Sequence, residues 1–218
     1  MAVGHANTPM DIPYHTDRSV AMNMGMLEIA PIVRDPFQPS KLILERTKRT
    51  DPRLLELMKV HYSAPNGFVG RVLAYAIYYD GVYYGHTIGG STPKHLPRGK
   101  FWPNCDPMLN HIVNNIFYHL TGPPYPVRNF ATRVVSAWRN RAAVDWLVKY
   151  GDVVAAFETL VELPRTGECY LRDGWQVTGT TKGYTCKRVA GGGSDSWSGR
   201  RVWDTKNLRP KLVLIRQV

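Results

Sequence analysis

Two carboxylates and a tyrosine of the types used for proton transfer stand close together between residues 153 and 184. The stretch VVAAFETLVEL is too apolar for a surface strand, and strand alternation places Glu158 and Glu162 on one face. A short turn then presents Tyr170, and Gly174 and Trp175 open another strand. A buried carboxylate is costly unless it is partnered or neutralised, so Glu158 is either paired for structure or held as a general base. Tyr170 is either a proton donor or a core tyrosine that is bonded to a backbone carbonyl.

Three further residues are candidates for the same chemistry. Glu162 is a second possible base; the alternative without a catalytic role is a carboxylate at a solvated strand end. His61 and Tyr62 end a predicted helix and are expected to face the hairpin that follows. A histidine at that position could also serve only to cap the helix dipole.

The start of a later helix offers residues that could hold a cofactor. Asn129 and Thr132 stand where a cap is expected, Arg133 adds positive charge, and the helix N-terminus itself attracts anions. Thr132 and Ser136 lie one turn apart, so both hydroxyls fall on one helix face. Their structural alternative is a hydrogen bond back to the helix carbonyls.

Charge favours a polyanionic partner, because the 218 residues carry a formal net charge of +11. Two basic surfaces are predicted, in the loop 89–100 and in a long loop over 182–209. Basic side chains neutralise phosphate, and an exposed aromatic ring stacks on a displaced base; the alternative is a solvated loop that contacts nothing. The residues of the second loop predicted to contact double-stranded DNA are Lys182, Lys187, Arg188, Trp197, Arg200 and Arg201.

Other functional classes find little support in the sequence. His86, His95, Cys105 and His111 match no zinc spacing, so no metal site is predicted. No apolar run approaches the length of a membrane span, and the N-terminus lacks the pattern of a secretory signal. Three cysteines form no disulfide framework and fit a reducing compartment, so we expect a cytoplasmic protein.

Secondary-structure signals predict one mixed α/β domain over 41–218, mostly antiparallel at its start, after an irregular segment over 1–40. Asp80-Gly81 is a strong hairpin signal, because a type I′ turn needs positive φ at both central residues. The predicted elements are a strand over 41–45, a helix after Asp51-Pro52, the hairpin strands 69–79 and 82–88, a helix from Asp106-Pro107 to Leu120 with Asn110 and Asn114 one turn apart, a helix from Asn129 to Gly151, and a closing strand over 211–218.

This order of elements, with Tyr170, Gly174 and Trp175 near its end, resembles the GNAT acetyltransferase fold. A closer resemblance is to the Mom-like DNA-modification family, which includes a domain of the Druantia anti-phage system. The matching segments are His61-Tyr62, ATRVVSAW (131–138), DWLVKYG (145–151), ETLVE (158–162), GECYLRDGW (167–175) and TGTTKG (178–183). The resemblance implies a GNAT-like fold that converts adenine in phage DNA to its N6-carbamoylmethyl derivative and so protects it from restriction.

Two other functions stay open at this stage. One is a Druantia-like DNA-binding component without transfer chemistry, and the other is a CoA-dependent N-acetyltransferase. The GNAT pyrophosphate loop should fall near 128–133, but RNFATR lacks the glycines that let backbone amides close on a pyrophosphate. The donor is therefore left open between acetyl-CoA and another activated two-carbon compound.

Overall fold

The computed structural model describes residues 36–63, 67–98, 106–189 and 200–218. Most of the segment predicted to be irregular, residues 1–35, lies outside this part. The strands are β1 (Leu42–Thr47), β2 (Val72–Tyr79), β3 (Val82–Ser91), β4 (Ile112–Leu120), β5 (Ala156–Glu162), β6 (Gln176–Thr180), β7 (Thr185–Val189), β8 (Arg200–Asp204) and β9 (Lys211–Gln217). The helices are α1 (Pro52–Val60), α2 (Phe130–Tyr150) and α3 (Glu168–Leu171), and short 3-10 turns cover Pro39–Lys41 and Asp106–His111.

Seven strands form one sheet in the order β1-β2-β3-β4-β5-β9-β6. Neighbours run antiparallel except β4 and β5, which are parallel. The predicted mixed, mostly antiparallel α/β sheet is confirmed. The closing strand β9 inserts between β5 and β6.

Local signals explain several element boundaries. The Asp51 side chain accepts a hydrogen bond from the Arg53 amide (2.9 Å), and Pro52 starts α1. Asp80 and Gly81 both have positive φ, 53° and 77°, as the predicted hairpin turn requires. Gly151 ends α2 with φ 77°, in the left-handed conformation that glycine adopts without strain.

The helix predicted from Asp106-Pro107 to Leu120 is wrong. Only a 3-10 turn forms over Asp106–His111, and the strand β4 follows. The strand IVNNIFYHL lies between β3 and β5 with most of its residues buried, so apolar side chains point to both faces and imitate helical spacing. Its β-branched and aromatic residues favour a strand. Asn110 and Asn114 therefore lie on different elements, not one helical turn apart.

The long loop predicted over 182–209 also needs correction. It contains β7 and β8, which pair as an antiparallel two-stranded sheet with Arg188 opposite Arg201. Residues 190–199 lie outside the described part, and with them the predicted DNA contact at Trp197.

Helices cover both faces of the large sheet. The α2 helix buries Trp138 and Trp146 against a cluster that includes Leu73, Tyr75 and Phe157. On the other face, a cluster forms around Leu54 of α1 with Ala74, Ile88 and Phe117. Within the described ranges, no helix combines the length and the hydrophobicity needed to cross a lipid bilayer.

Candidate active site

A cleft opens where β4 and β5 separate. Their parallel ladder starts at Ile112 and Ala156 and stops at Asn115 and Thr159, although both strands continue beyond that point. The β3–β4 register shifts just after Asn115, which marks a β-bulge of the kind often found beside active sites. The resulting cleft has a volume of about 670 Å³. Its lining comes from the end of α1, from β4 and β5, and from residues 165–170.

Tyr170 lies at the apex of this cleft. Helix α3 carries it in, and its hydroxyl donates to Asn115 Oδ1 (3.2 Å) at the last paired residue of β4. Thr159 on β5 donates to the Asn115 carbonyl (3.0 Å), which ties the two strands together at that point. Burial raises the pKa of Tyr170 well above its usual value, so the hydroxyl keeps its proton at neutral pH. Tyr170 is therefore a buried, cleft-lining tyrosine that is bonded to a side chain and not to a backbone carbonyl, and its role as a proton donor stays a prediction.

Two asparagines at this site were not singled out as a pair by the sequence. Asn114 is 1% exposed and lines the cleft, and its Oδ1 has no hydrogen-bond partner in the described part of the chain. The Asn115 Nδ2 donates a hydrogen bond to Thr87 Oγ1 (2.9 Å), and the Asn115 Oδ1 accepts one from the Tyr170 hydroxyl. The sequence does contain two adjacent asparagines inside an apolar segment. Because this segment was predicted to be a helix, the pair was not recognised as part of a site.

Glu158 is held by a buried ion pair. The side chain is fully buried, and its Oε2 accepts from Arg98 Nε at 2.7 Å. A hydrogen bond from Thr92 completes the arrangement. Burial raises the pKa of Glu158, and the bonds from Arg98 and Thr92 oppose that rise. Glu158 is not among the residues that line the cleft, so the geometry favours the structural alternative; its role as a base stays a prediction.

Arg98 also organises the loop that follows β3, which we call the wall loop (residues 92–98). Its guanidinium donates to the carbonyls of Pro93 and Lys94, and only 2% of the residue is exposed. Pro93 lines the cleft and also a second cavity beside it, of about 850 Å³, which we call the side groove. The buried pair therefore fixes the wall between the two cavities.

Glu162 lines the side groove and is 7% exposed. It is therefore not at a solvated strand end, which was the alternative without a catalytic role. Its Oε1 binds Arg209 (2.6 Å), while its Oε2 lies 3.9 Å from Lys211 Nζ without a hydrogen bond. The cleft and the side groove share Lys211, so Glu162 lies beside a residue that lines both cavities.

His61 and Tyr62 line the cleft, where His61 packs on Phe117 of β4 and Tyr62 on Arg165 after β5; that they face the hairpin stays a prediction. His61 Nε2 lies 3.3 Å from the Tyr118 carbonyl, and its Nδ1 accepts from the Ser63 amide. Burial lowers the pKa of His61 to about 4, so the ring is neutral at pH 7. Burial raises the pKa of Tyr62, whose ring lies 3.9 Å from the Arg165 guanidinium. Both residues shape the cleft wall.

The predicted cofactor residues form the first turns of α2. Asn129 is the N-cap, with φ 57°, and its Oδ1 accepts from Arg172 instead of capping the helix (3.2 Å). Arg133 packs over the Phe37 ring, and Thr132 and Ser136 are partly buried. None of the four lines the cleft, but Tyr118, which does, donates to the Ala131 carbonyl at 2.9 Å. The α2 N-terminus therefore lies at the edge of the cleft.

The predicted DNA-contacting residues are distributed over three places. Lys182 is exposed and lines the side groove. Lys187 and Arg188 lie on β7, and Arg200 and Arg201 lie on β8.

Across the described ranges, no group of three or more His, Cys, Asp or Glu side chains is placed to hold a metal ion. His111 Nδ1 donates to the Val153 carbonyl (2.7 Å), and His86 is buried in the sheet.

Several acetyltransferases of known structure are similar to this chain. An acetyltransferase from Bacillus subtilis, solved with CoA, has a TM-score of 0.52 at 10% identity, over 82% of this chain and 99% of that chain. The ribosomal L7/L12 alpha-N-protein acetyltransferase RimL has a TM-score of 0.49 at 12% identity, over 82% and 94% of the two chains. The aminoglycoside acetyltransferase AAC(6′)-Ib, in complex with CoA and kanamycin, has a TM-score of 0.48 at 13% identity, over 81% and 94%. The likeness to the first shows that the chain has the GNAT acetyltransferase fold.

No protein-family model matches this chain, and no curated protein does. The identities to the solved structures are low, so the likeness defines the fold and leaves the substrates to be argued from the site.

Proposed function

We propose that the protein is a transferase that moves an activated two-carbon group from a CoA-type thioester to an amine. The observation that carries this proposal is the position of the Tyr170 hydroxyl, buried and protonated at the point where β4 and β5 separate. A proton donor is needed there because a thiolate leaves more readily when it is protonated as the bond breaks.

The residues of the cleft fit a donor of this class. The unpartnered Asn114 Oδ1 is a buried acceptor that lines the cleft, where an amide N–H of an extended donor would satisfy it. The N-terminus of α2 lies at the cleft edge, and helix N-termini attract phosphate groups. Arg128 and Arg133 add positive charge at that end, although the turn lacks the glycines of the usual pyrophosphate loop.

A bound CoA thioester supplies a carbonyl carbon open to attack by an amine and a sulfur leaving group. Tyr170 holds the proton that this sulfur takes up, and Asn115 orients the hydroxyl. The acceptor nitrogen loses one proton as it forms its new bond, and this proton restores the tyrosine. The buried wall of aromatic and apolar side chains around Tyr170 keeps water out of the reaction.

Donor binding and transfer can be tested separately. Calorimetry with acetyl-CoA measures binding, and thiol release in the presence of a panel of amines measures transfer. Tyr170→Phe should bind the donor with unchanged affinity and release little thiol. Absence of acetyl-CoA binding by the wild type would overturn this donor.

A second proposal, with a donor other than a thioester attacked at its carbonyl, places the acceptor on DNA as the N6 amino group of adenine, to give the N6-carbamoylmethyl base. The N6–CH2 bond forms as the bond between the donor's methylene carbon and its leaving group breaks. The leaving group takes up the Tyr170 proton, and the proton lost from N6 restores the tyrosine. What favours it is that residues 61–62, 159–162 and 167–170, from segments that carry the Mom-like resemblance, line the cleft or its side groove. The side groove also carries Lys182, Arg209 and Lys211, which suit a phosphate backbone. An adenine must leave the helix to reach Tyr170, since N6 is engaged in base pairing.

Mass spectrometry of nucleosides from plasmid DNA tests the acceptor. Cells producing the wild type should yield an adenine nucleoside heavier by one acetamido group, and cells producing Tyr170→Phe should not. Unmodified DNA from active, acetyl-CoA-binding protein would leave the transferase proposal standing and move the acceptor to another amine.

A further inference from the structure

A third cavity, of about 440 Å³, lies beside the end of β1 and the C-terminus of α2. We call it the basic pocket. Residues 46–50, RTKRT, supply one wall, Gly70, Val72 and Ala74 a second, and Lys149 and Tyr150 a third. Neither the cleft nor the side groove uses residues 46–50.

Positive charge is concentrated in this pocket. Four exposed cations line it, and none of its described lining residues is acidic; the cations are Arg46, Lys48, Arg49 and Lys149. The charge of Arg46 is only weakly neutralised. Its Nε lies 4.0 Å from Asp145 Oδ2, and the same oxygen lies 3.0 Å from Arg141 Nε. Four cations gathered from two separate elements raise the local potential and attract an anion.

Most hydrogen-bond donors of these cations remain available for a ligand. Arg49 donates one hydrogen bond to the Phe68 carbonyl (3.3 Å), and Lys149 donates one to the Val72 carbonyl (3.0 Å). A guanidinium has five N–H donors and an ammonium three, so each side chain keeps others. These anchoring bonds hold the cations at the pocket wall.

A hydroxyl adds a second feature to the pocket. Thr47 lines it, and its Oγ1 is buried without a hydrogen-bond partner in the described part of the chain. Such a group is expensive to leave unsatisfied, and a phosphate oxygen would accept its proton. Threonine hydroxyls join Arg and Lys as the usual phosphate ligands in nucleic-acid complexes.

The basic pocket is far from the cleft. Ala131, beside the cleft, and Lys149, in the pocket, are 18 residues apart on the same helix, which is about 27 Å at 1.5 Å per residue. A donor or a small amine in the cleft cannot reach that far. The partner in the pocket is therefore either a separate ligand or part of an extended polyanion.

We propose that the basic pocket binds a phosphate of a nucleic-acid backbone, as a contact remote from the cleft. The pocket is concave, and no exposed apolar side chain lines it that would insert into a bilayer, which favours a phosphodiester over a membrane surface. The inference rests on the proposed nucleic-acid partner and is independent of any transfer step.

The test is the salt dependence of DNA affinity. A labelled duplex is titrated with wild type and with Lys48→Ser/Arg49→Ser at several salt concentrations. Each lost phosphate contact lowers the slope of log K against log salt by about 0.9, so the double variant, which loses the contact to one phosphate, should lose about one unit and bind more weakly. The matched control is Lys41→Ser/Lys59→Ser, which removes two cations already held by Asp80 and Glu56 (2.8 and 2.6 Å).

A slope that falls in the pocket variant and stays in the control supports the proposal. Equal slopes in both variants overturn it, as does a wild type that does not bind DNA. Reduced binding to phosphatidylserine vesicles with unchanged DNA affinity overturns it in favour of a membrane contact. Because no donor or turnover is needed, DNA binding through the pocket by a protein that transfers nothing would refute the transferase proposal alone.

Discussion

Replacing Glu158 by Gln separates a structural role for this carboxylate from a catalytic one. The side chains of Glu158 and Arg98 are 0% and 1% exposed, and their charged atoms are 2.7 Å apart. Glu158→Gln leaves the guanidinium buried without its counter-charge. Removing one partner of such a pair costs about 3–5 kcal/mol, a large share of the roughly 5–15 kcal/mol that stabilises a typical domain.

The companion variants are Arg98→Met and the double variant Glu158→Gln/Arg98→Met. The double variant buries no unpaired charge, so its loss should be smaller than the sum of the single losses by about 2–3 kcal/mol. Part of the loss remains, because Arg98 also holds two carbonyls of the wall loop.

Urea unfolding of the four proteins, followed by circular dichroism, measures these free energies. The reasoning is refuted if Glu158→Gln unfolds within about 0.5 kcal/mol of the wild type, as a surface substitution would. If that stable variant had also lost transfer, the carboxylate would take part in the chemistry and would not merely hold the wall loop.

Three further outcomes follow from the site and its surroundings. Tyr170→Phe should lower kcat by about 10²–10⁴-fold, the usual range for a lost general acid, with little change in donor affinity. Tyr75→Phe removes another buried hydroxyl, which is bonded to Asp145 and does not line the cleft, and should leave kcat unchanged. Burial lowers the pKa values of His61 and His86 to about 4, below the unfolded value near 6.5. The unfolded chain therefore binds more protons in that window, and the free energy of unfolding should fall by a few kcal/mol as pH drops from about 6.5 to 4, with a smaller fall in His86→Asn. At Gly179 an added Cβ would lie 2.8 Å from the wall loop, so Gly179→Val should weaken acceptor binding, seen as a higher KM, while acetyl-CoA affinity is unchanged.

Local patterns were sufficient for the elements whose ends carry strong signals. The cap at Asp51, the turn at Asp80-Gly81 and the glycine at Gly151 each fix a backbone conformation through neighbouring residues alone. Strand β5 was also predictable, because an apolar run with alternating carboxylates has few other folded arrangements.

The rest depends on partners that are distant in sequence. Strand β4 imitates a helix because it is covered on both faces, and this burial arises only once β3, β5 and the helices are in place. Glu158 and its partner Arg98 are separated by 60 residues, so the sequence left open whether the carboxylate was paired or catalytic. Tyr170 could be predicted as a candidate, but not its bond to Asn115, because that bond joins α3 to a strand assigned to the wrong class.

The central claim is that the cleft between β4 and β5 holds a CoA-type donor, and calorimetric titration with acetyl-CoA tests it most directly. Asn114→Leu is the informative variant, because it replaces an acceptor atom that has no partner in the described chain by an apolar group of similar size. The account predicts that the wild type binds, that Asn114→Leu binds about tenfold more weakly, for a lost hydrogen bond of about 1.4 kcal/mol, and that the variant unfolds at the same or a higher urea concentration. Equal affinity in the two proteins, or no binding to either, would contradict the claim that the donor lies in this cleft.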